Sequence, residues 1–163
     1  MEQYQSIILA KYIAAYLNEK GIDINMTKIQ KLTYIAYGTY LAVTDKRLID
    51  EHPQAWPYGP VFPTTRNKLL KADLNSICLD DVCLQEIHKD KKVNSLIELI
   101  YNTFGKWSAA ELSEWSHKEG SPWEKTVSTL GFQWGNRIED EYIKSYFSKI
   151  ITPKENGNGD EKQ

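Results

Sequence analysis

The chain is poor in the residues that most often carry chemistry or covalent staples. Of its 163 residues only two are Cys, two are Met and three are His. Cys78 and Cys83 stand close together with no disulfide framework around them, so they read as free thiols in a reducing compartment. His52, His88 and His117 fall in three separate segments and lack the spacing of a metal site. There is no His-Glu-x-x-His helix, no nucleophile elbow and no phosphate-binding glycine loop. No metal and no cofactor are therefore expected. Charge of one sign is also missing: 20 Lys and Arg face 22 Asp and Glu, for a net charge of -2. That balance argues against a general nucleic-acid binder, which shows a basic face or stripe. No apolar run approaches the roughly 20 residues that span a bilayer. Met1-Glu2-Gln3-Tyr4-Gln5 has neither the basic start nor the apolar stretch of a secretory signal. A soluble cytoplasmic protein, with no membrane and no nucleic-acid partner, is the expectation.

What the chain does have is apolar and aromatic surface, with 41% hydrophobic residues, ten Tyr and five Trp. That suffices for one core-bearing domain, placed at residues 1–152, followed by a polar tail at 153–163 that can bury nothing. Ile7, Ile8, Tyr12, Ala15 and Tyr16 form a helical stripe closed by Gly21. Thr27 and Gln30 read as a capping box, ahead of a helix whose face carries Ile29, Leu32, Ala36, Tyr40 and Val43 and ends near Thr44. Pro60 or Pro63 opens a third helix. Residues 72–90 show no sustained period. Val93, Leu96, Ile97, Ile100 and Phe104 restore one, up to Gly105. Further helices start at the capping pair Ser108 and Glu111 and at Ser121, Pro122 and Glu124, and a last one covers Ile138 to Phe147. The fold class is mainly α (α+β): a compact single-domain helical bundle with a small β-hairpin or extended corner near residues 47–59.

Two phrases stand out, Ala55-Trp56-Pro57-Tyr58-Gly59-Pro60-Val61 and His117-Lys118-Glu119-Gly120-Ser121-Pro122-Trp123. Gly59 and Pro60 belong to a corner, and Ser121 and Pro122 to a helix start. Trp56 and Tyr58 either plug the core or supply binding surface, or divide the tasks, with Trp56 inward and Tyr58 at the rim. His117 with Glu114 or Glu119 is the one enzyme-like pair, a candidate general base, though a histidine at a helix C-terminus also serves the last carbonyls. Lys28 and Lys31 read as a solvated face, with Lys31 able to project toward a partner. Tyr34, Tyr37 and Tyr40 read as core.

The ordered set Lys28-Ile29-Gln30-Lys31-Leu32-Thr33-Tyr34-Ile35-Ala36-Tyr37-Gly38, then Ala55 to Val61, then Glu111-Leu112-Ser113 through His117 and Pro122-Trp123, resembles the Panacea domain. This is the SocA-like antitoxin domain, also met as a phage-associated protein of mobile elements. The resemblance runs from about Ile7 to Phe147, with two departures: Thr33 replaces an aliphatic residue, and Pro57 interrupts the Trp-Tyr phrase. It implies a largely helical domain that binds and neutralises a cognate toxin encoded beside it, without catalysis of its own. One branch of the family resembles an adaptor that delivers its toxin to an ATP-dependent protease. Some members carry an extra N-terminal DNA-binding segment, which the few residues before the first helix do not lead us to expect here. The candidate partner-binding residues are Lys31, Tyr34, Trp56, Tyr58, His117 and Trp123. Two other readings stay open: a small hydrolase using His117 with Glu114 or Glu119, and a nucleic-acid adaptor of mobile elements built on Lys28, Lys31, Arg66, Lys68 and Lys71.

Overall fold

The computed structural model describes residues 3–130 and 135–151. Eight helices and one hairpin occur among them: α1 (Ser6–Glu19), α2 (Met26–Thr44), β1 (Gln54–Trp56), β2 (Gly59–Val61), α3 (Pro63–Leu69), α4 (Gln85–His88), α5 (Lys91–Phe104), α6 (Ala109–Ser116), α7 (Pro122–Leu130) and α8 (Asp140–Ile151). The mainly helical architecture with a small β element matches the sequence reading. The expected boundary at 152 and the polar tail lie outside the described residues. Among the described residues no helix is long and apolar enough to cross a membrane.

Helix α2 is the axis. Every residue from Lys28 to Thr39 is buried, and α1, α5, α6 and α8 pack around it. Only a helix surrounded on all sides has this pattern, and here it must bury Lys28, Gln30, Lys31, Thr33 and Thr39 along with its apolar residues. Thr33 satisfies its hydroxyl internally, donating to the Ile29 carbonyl at 2.7 Å. The Thr27–Gln30 capping box does not form. The helix starts earlier, capped by Asn25, whose Oδ1 accepts the Lys28 N–H at 2.8 Å. Gln30 has turned into the core instead. Val43 is 67% exposed, because the last turn of α2 emerges from its neighbours. Asp45, in the left-handed conformation with φ 62°, ends the helix and accepts a 2.6 Å ion pair from Lys144 of α8.

The hairpin spans residues 54–61, later than the start near 47 that the sequence suggested. Residues 48–50 instead pair with the N-terminus, through Tyr4 N–H to Leu48 O at 2.9 Å and Asp50 N–H to Tyr4 O at 3.1 Å. The same stretch caps two helices. Asp50 accepts the Ser6 N–H at 3.0 Å, and Glu51 accepts the Thr64 and Thr65 N–H groups at 2.6 and 3.2 Å. Both carboxylates thus sit at the positive ends of helices. Pro63 takes the first position of α3. The illegible segment 72–90 holds two short 3-10 turns and α4, anchored by the fully buried Leu84 and Ile87.

Helix α8 closes the bundle over Gly38. A Cβ there would overlap the Phe147 ring, which also packs edge-on against Tyr34 at 5.6 Å. Gly38→Ala should gain about 1 kcal/mol of helix propensity yet lose about 3 kcal/mol to overpacking, a net destabilisation near 2 kcal/mol. Urea denaturation reads this, and the loss is expected to shrink when Phe147 is also changed to Leu. An unaltered midpoint for Gly38→Ala overturns the close-approach account.

Candidate functional site

The two sequence phrases meet in space. β1 and β2 pair antiparallel in the register Gln54 to Val61, Ala55 to Pro60 and Trp56 to Gly59, leaving Pro57 and Tyr58 as a two-residue turn. Such turns usually need positive φ at their centre, which Pro57 cannot supply because its ring holds φ near -65°. The left-handed rotation falls on the next residue, Gly59, at φ 118°. A side chain at Gly59 would also strike Ser116 Oγ and Lys31 Cε, at 2.5 and 3.0 Å from its Cβ. The turn therefore lies hard against α2 and α6.

Three alternate carbonyls of the hairpin are each held by a different helix. Trp123 of α7 donates its indole N–H to Trp56 O at 2.7 Å. Ser113 of α6 donates its hydroxyl to Tyr58 O at 2.6 Å. Lys31 of α2 donates its ammonium to Pro60 O at 3.1 Å. One residue beyond β2, Gln30 takes both backbone groups of Phe62, accepting its N–H at 2.8 Å and donating to its carbonyl at 3.5 Å. Gln30 and Lys31 thereby stand where a third strand would bond. The other edge is covered too, since Ala55 N–H donates to Asn136 O at 2.8 Å and Ile138 N–H to Pro53 O at 3.0 Å. Neither edge offers a free ladder for strand addition.

The structure separates the candidate residues by exposure. Tyr58 is 75% exposed at the turn. Trp56, Trp123 and His117 are half-buried beside it. The Arg66 guanidinium of α3 lies 5.5 Å from the Trp56 ring centroid, and the His117 ring meets Trp123 edge-on at 5.2 Å. Lys31 and Tyr34 are buried inside α2, so they are not part of the exposed face. Tyr34 keeps a buried hydroxyl with no hydrogen-bond partner among the described residues. Ser121 and Pro122 begin α7 beneath Trp123. The Ser121 hydroxyl accepts the Glu124 N–H at 3.2 Å, while the Glu124 carboxylate reaches one residue further back than a capping box does, to Gly120 N–H at 3.2 Å.

His117 caps the C-terminus of α6, and its Nδ1 is buried without a hydrogen-bond partner among the described residues. No carboxylate holds that nitrogen. Glu114 lines a different groove, of about 350 Å³, together with Trp107, Glu111, Trp115 and Lys118. Lys28 and Lys31, expected on a solvated face, are 6% and 2% exposed, and the Lys31 ammonium is withdrawn from any basic surface by its bond to Pro60 O. Among the described residues no group of His, Cys, Asp and Glu is placed to hold a metal ion, and both cysteines are free and exposed. Gln30, Ser113 and Arg66 are the participants that sequence reasoning missed. The available hint was Gln30, a polar residue lying on a stripe of otherwise core-facing positions.

Comparison with known proteins adds the lineage to this geometry. Residues 29–124 match the family described as antitoxin SocA-like, Panacea domain, and the chain belongs to that family. The matched stretch contains every side chain that holds the hairpin from α2, α6 and α7. Individually, the chain is similar to antitoxin SocA of Caulobacter vibrioides (strain NA1000 / CB15N), with 30% identity over 169 residues, 93% of this chain and 89% of that protein. No solved structure matches.

Among the described residues Lys31 has one carbonyl partner and no counter-ion, and burial pushes its pKa down to about 8. The unfolded chain, with an ordinary lysine, binds the extra proton up to the usual 10.5. Above pH 8 the unfolded state therefore holds more protons, and stability rises with pH. The rise is opposed above pH 9, where tyrosines such as Tyr34 and Tyr37, raised chiefly by burial, begin to ionise only in the unfolded chain. Denaturation between pH 8 and 9 is expected to show a gain of about 1 kcal/mol. Lys31→Met should flatten most of it, the remainder coming from Lys28, which burial also lowers. Equal slopes in the two proteins overturn this assignment.

Proposed function

We propose that this chain is a cytoplasmic antitoxin that neutralises a cognate toxin by direct protein–protein contact, with no catalysis of its own. The contact face is the hairpin turn, with Tyr58 as the central anchor and Trp56, Trp123 and His117 as its shoulder. Lys31 and Tyr34 act from beneath, Lys31 by fixing the hairpin backbone and Tyr34 by supporting α2 and α8.

The observation that carries this reading is a tyrosine that is three-quarters exposed on a turn tied to three helices. An exposed aromatic on a mobile loop loses ordering entropy when it binds; one on a fixed turn does not. Tyr and Trp also dominate binding hot spots, giving large contact area with few rotatable bonds. A hydrolase reading lacks this kind of support, because among the described residues no carboxylate holds His117 Nδ1. A nucleic-acid reading loses Lys31, one of its five cations, to the core. Delivery of the toxin to an ATP-dependent protease would use the same contact, and differs only in shortening the toxin's lifetime in the cell.

Co-expression with the toxin encoded beside it, followed by affinity measurement, tests the assignment. Tyr58→Ala is expected to weaken toxin binding by about 2 kcal/mol, roughly thirtyfold, with an unchanged thermal midpoint. Ser113→Ala, which frees the turn without removing the anchor, should give a smaller loss carried by slower association. If Tyr58→Ala and Tyr58→Asp both neutralise as well as wild type, the hairpin is not the contact face.

A further inference from the structure

A protein–protein contact needs more area than one side chain provides. Stable interfaces bury about 800 Å² on each partner, whereas one aromatic side chain buries roughly 150–250 Å². With Tyr58 as the anchor, the contact has to continue onto a neighbouring surface. On the β1 side that neighbour is α3. The Arg66 guanidinium lies 5.5 Å from the Trp56 ring centroid, which ties α3 to the strand leading into the turn. One helical turn further on, Leu70 caps α3 and is 58% exposed. Residues four apart share a helix face, so Leu70 stands beside Arg66. Tyr58, Trp56, Arg66 and Leu70 thus follow one another from the turn onto the helix.

The charge of this surface is one-sided. From His52 to Ala72 the chain has no Asp or Glu, although it carries 22 elsewhere. Arg66 makes no ion pair and no side-chain hydrogen bond among the described residues. The carboxylates that border the stretch are engaged away from it. Glu51 accepts the Thr64 and Thr65 N–H groups at 2.6 and 3.2 Å, and Asp73 accepts the Asn75 N–H at 3.3 Å. Lys68 belongs to another surface, lining a groove with Asp50 and Glu51, and adds nothing to this one. A cation–π contact uses the charge of a guanidinium but none of its N–H donors, and their fork matches a carboxylate.

We infer that the antitoxin contact extends from Tyr58 over Trp56 and Arg66 to Leu70, and that it receives a toxin surface with a carboxylate opposite Arg66 and apolar groups opposite Tyr58 and Leu70. The extension rests on the hairpin being the toxin contact. Tyr, Trp and Arg are the residue types that dominate protein hot spots. Nucleic acid is a poorer occupant, because a phosphate backbone is neutralised by several cations in series and this face offers one.

Calorimetry of the full chain with the purified toxin encoded beside it, at about 0.05 and 0.5 M NaCl, tests the assignment. Arg66→Met keeps an apolar stem on Trp56 and removes the charge. It is expected to weaken binding about tenfold at the lower salt and to flatten the salt dependence. Leu70→Asn should weaken binding about fivefold at both salts. Leu70 is exposed, so its variant keeps the test valid if Arg66→Met displaces Trp56. Toxin variants selected for neutralisation by Arg66→Glu are expected to carry Lys or Arg in place of an Asp or Glu. Unaltered affinity in both Arg66→Met and Leu70→Asn overturns the inference. If Tyr58→Ala still weakens binding in that case, the hairpin reading stands and only its extension fails; if Tyr58→Ala is silent too, both fail. Loss of binding to a DNA duplex of about 20 base pairs in Arg66→Met, with toxin affinity unaltered, assigns the face to nucleic acid and also overturns it.

Discussion

A two-stranded hairpin with no third strand must find partners for its free backbone groups, and α2 provides them. Gln30 bonds both sides of Phe62, and Lys31 bonds the Pro60 carbonyl. An isolated two-stranded hairpin is marginal in water, and a buried unsatisfied carbonyl or N–H costs about 1–3 kcal/mol. A glutamine side chain carries an N–H donor group and a carbonyl acceptor in nearly peptide-like geometry, so a helix presents to β2 what a strand would have offered. The rest of the structure follows from that substitution. Helix α2 has to be central and buried on all sides to reach the hairpin, and the surrounding helices have to cover its polar residues.

The covering is achieved with paired polar groups. Tyr37 of α2 donates to Asp140 of α8 at 2.6 Å. Beside them, Arg47 lies 2.5 Å from His52 Nε2. Arginine has donors only, so that nitrogen accepts, and His52 is neutral with its proton on Nδ1, near the Tyr37 hydroxyl at 3.5 Å. Burial and the nearby Arg47 and Arg137 charges hold His52 below the ordinary histidine range, in keeping with that tautomer. Phe147 over Gly38 and Lys144 to Asp45 complete the attachment of α8. Helix α8 is thus fastened to α2 at three levels, and the buried hydroxyl of Tyr34 lies within that shell.

The consequence for function is that rigidity and exposure meet at one residue. The carbonyls of Trp56, Tyr58 and Pro60 are tethered to α7, α6 and α2, while the Tyr58 side chain stands in solvent. Membership of the SocA-like antitoxin family gives the class of partner. The tethered turn gives a physical reason for expecting the contact there rather than on a helix face. Fold membership does not choose the toxin. On the proposed contact face that choice would fall to exposed side chains near the turn, which can change at little expense to a core they do not enter.

Much of the architecture was legible from periodicity and caps. The Ser108–Glu111 capping box, Pro63 and Pro122 at helix starts, and the stripes of α1, α2, α5 and α8 are local signals, set by backbone groups within a few residues of one another. The ordered phrases also carried the family. What local pattern could not supply was the destination of the polar residues on α2. By sequence alone Gln30 is half of a capping box and Lys31 a surface charge, because there each has only its helical neighbours. The groups that claim them, on Phe62 and Pro60, lie 32 and 29 residues away. For the same reason Ser113, 55 residues from Tyr58, was invisible as a brace. The sequence by itself thus determined most of the helices, several of their starts and the aromatic content of the site. Tertiary structure alone decided which aromatics face solvent and which lysines are buried, since burial is a property of packing between elements and not of any one of them.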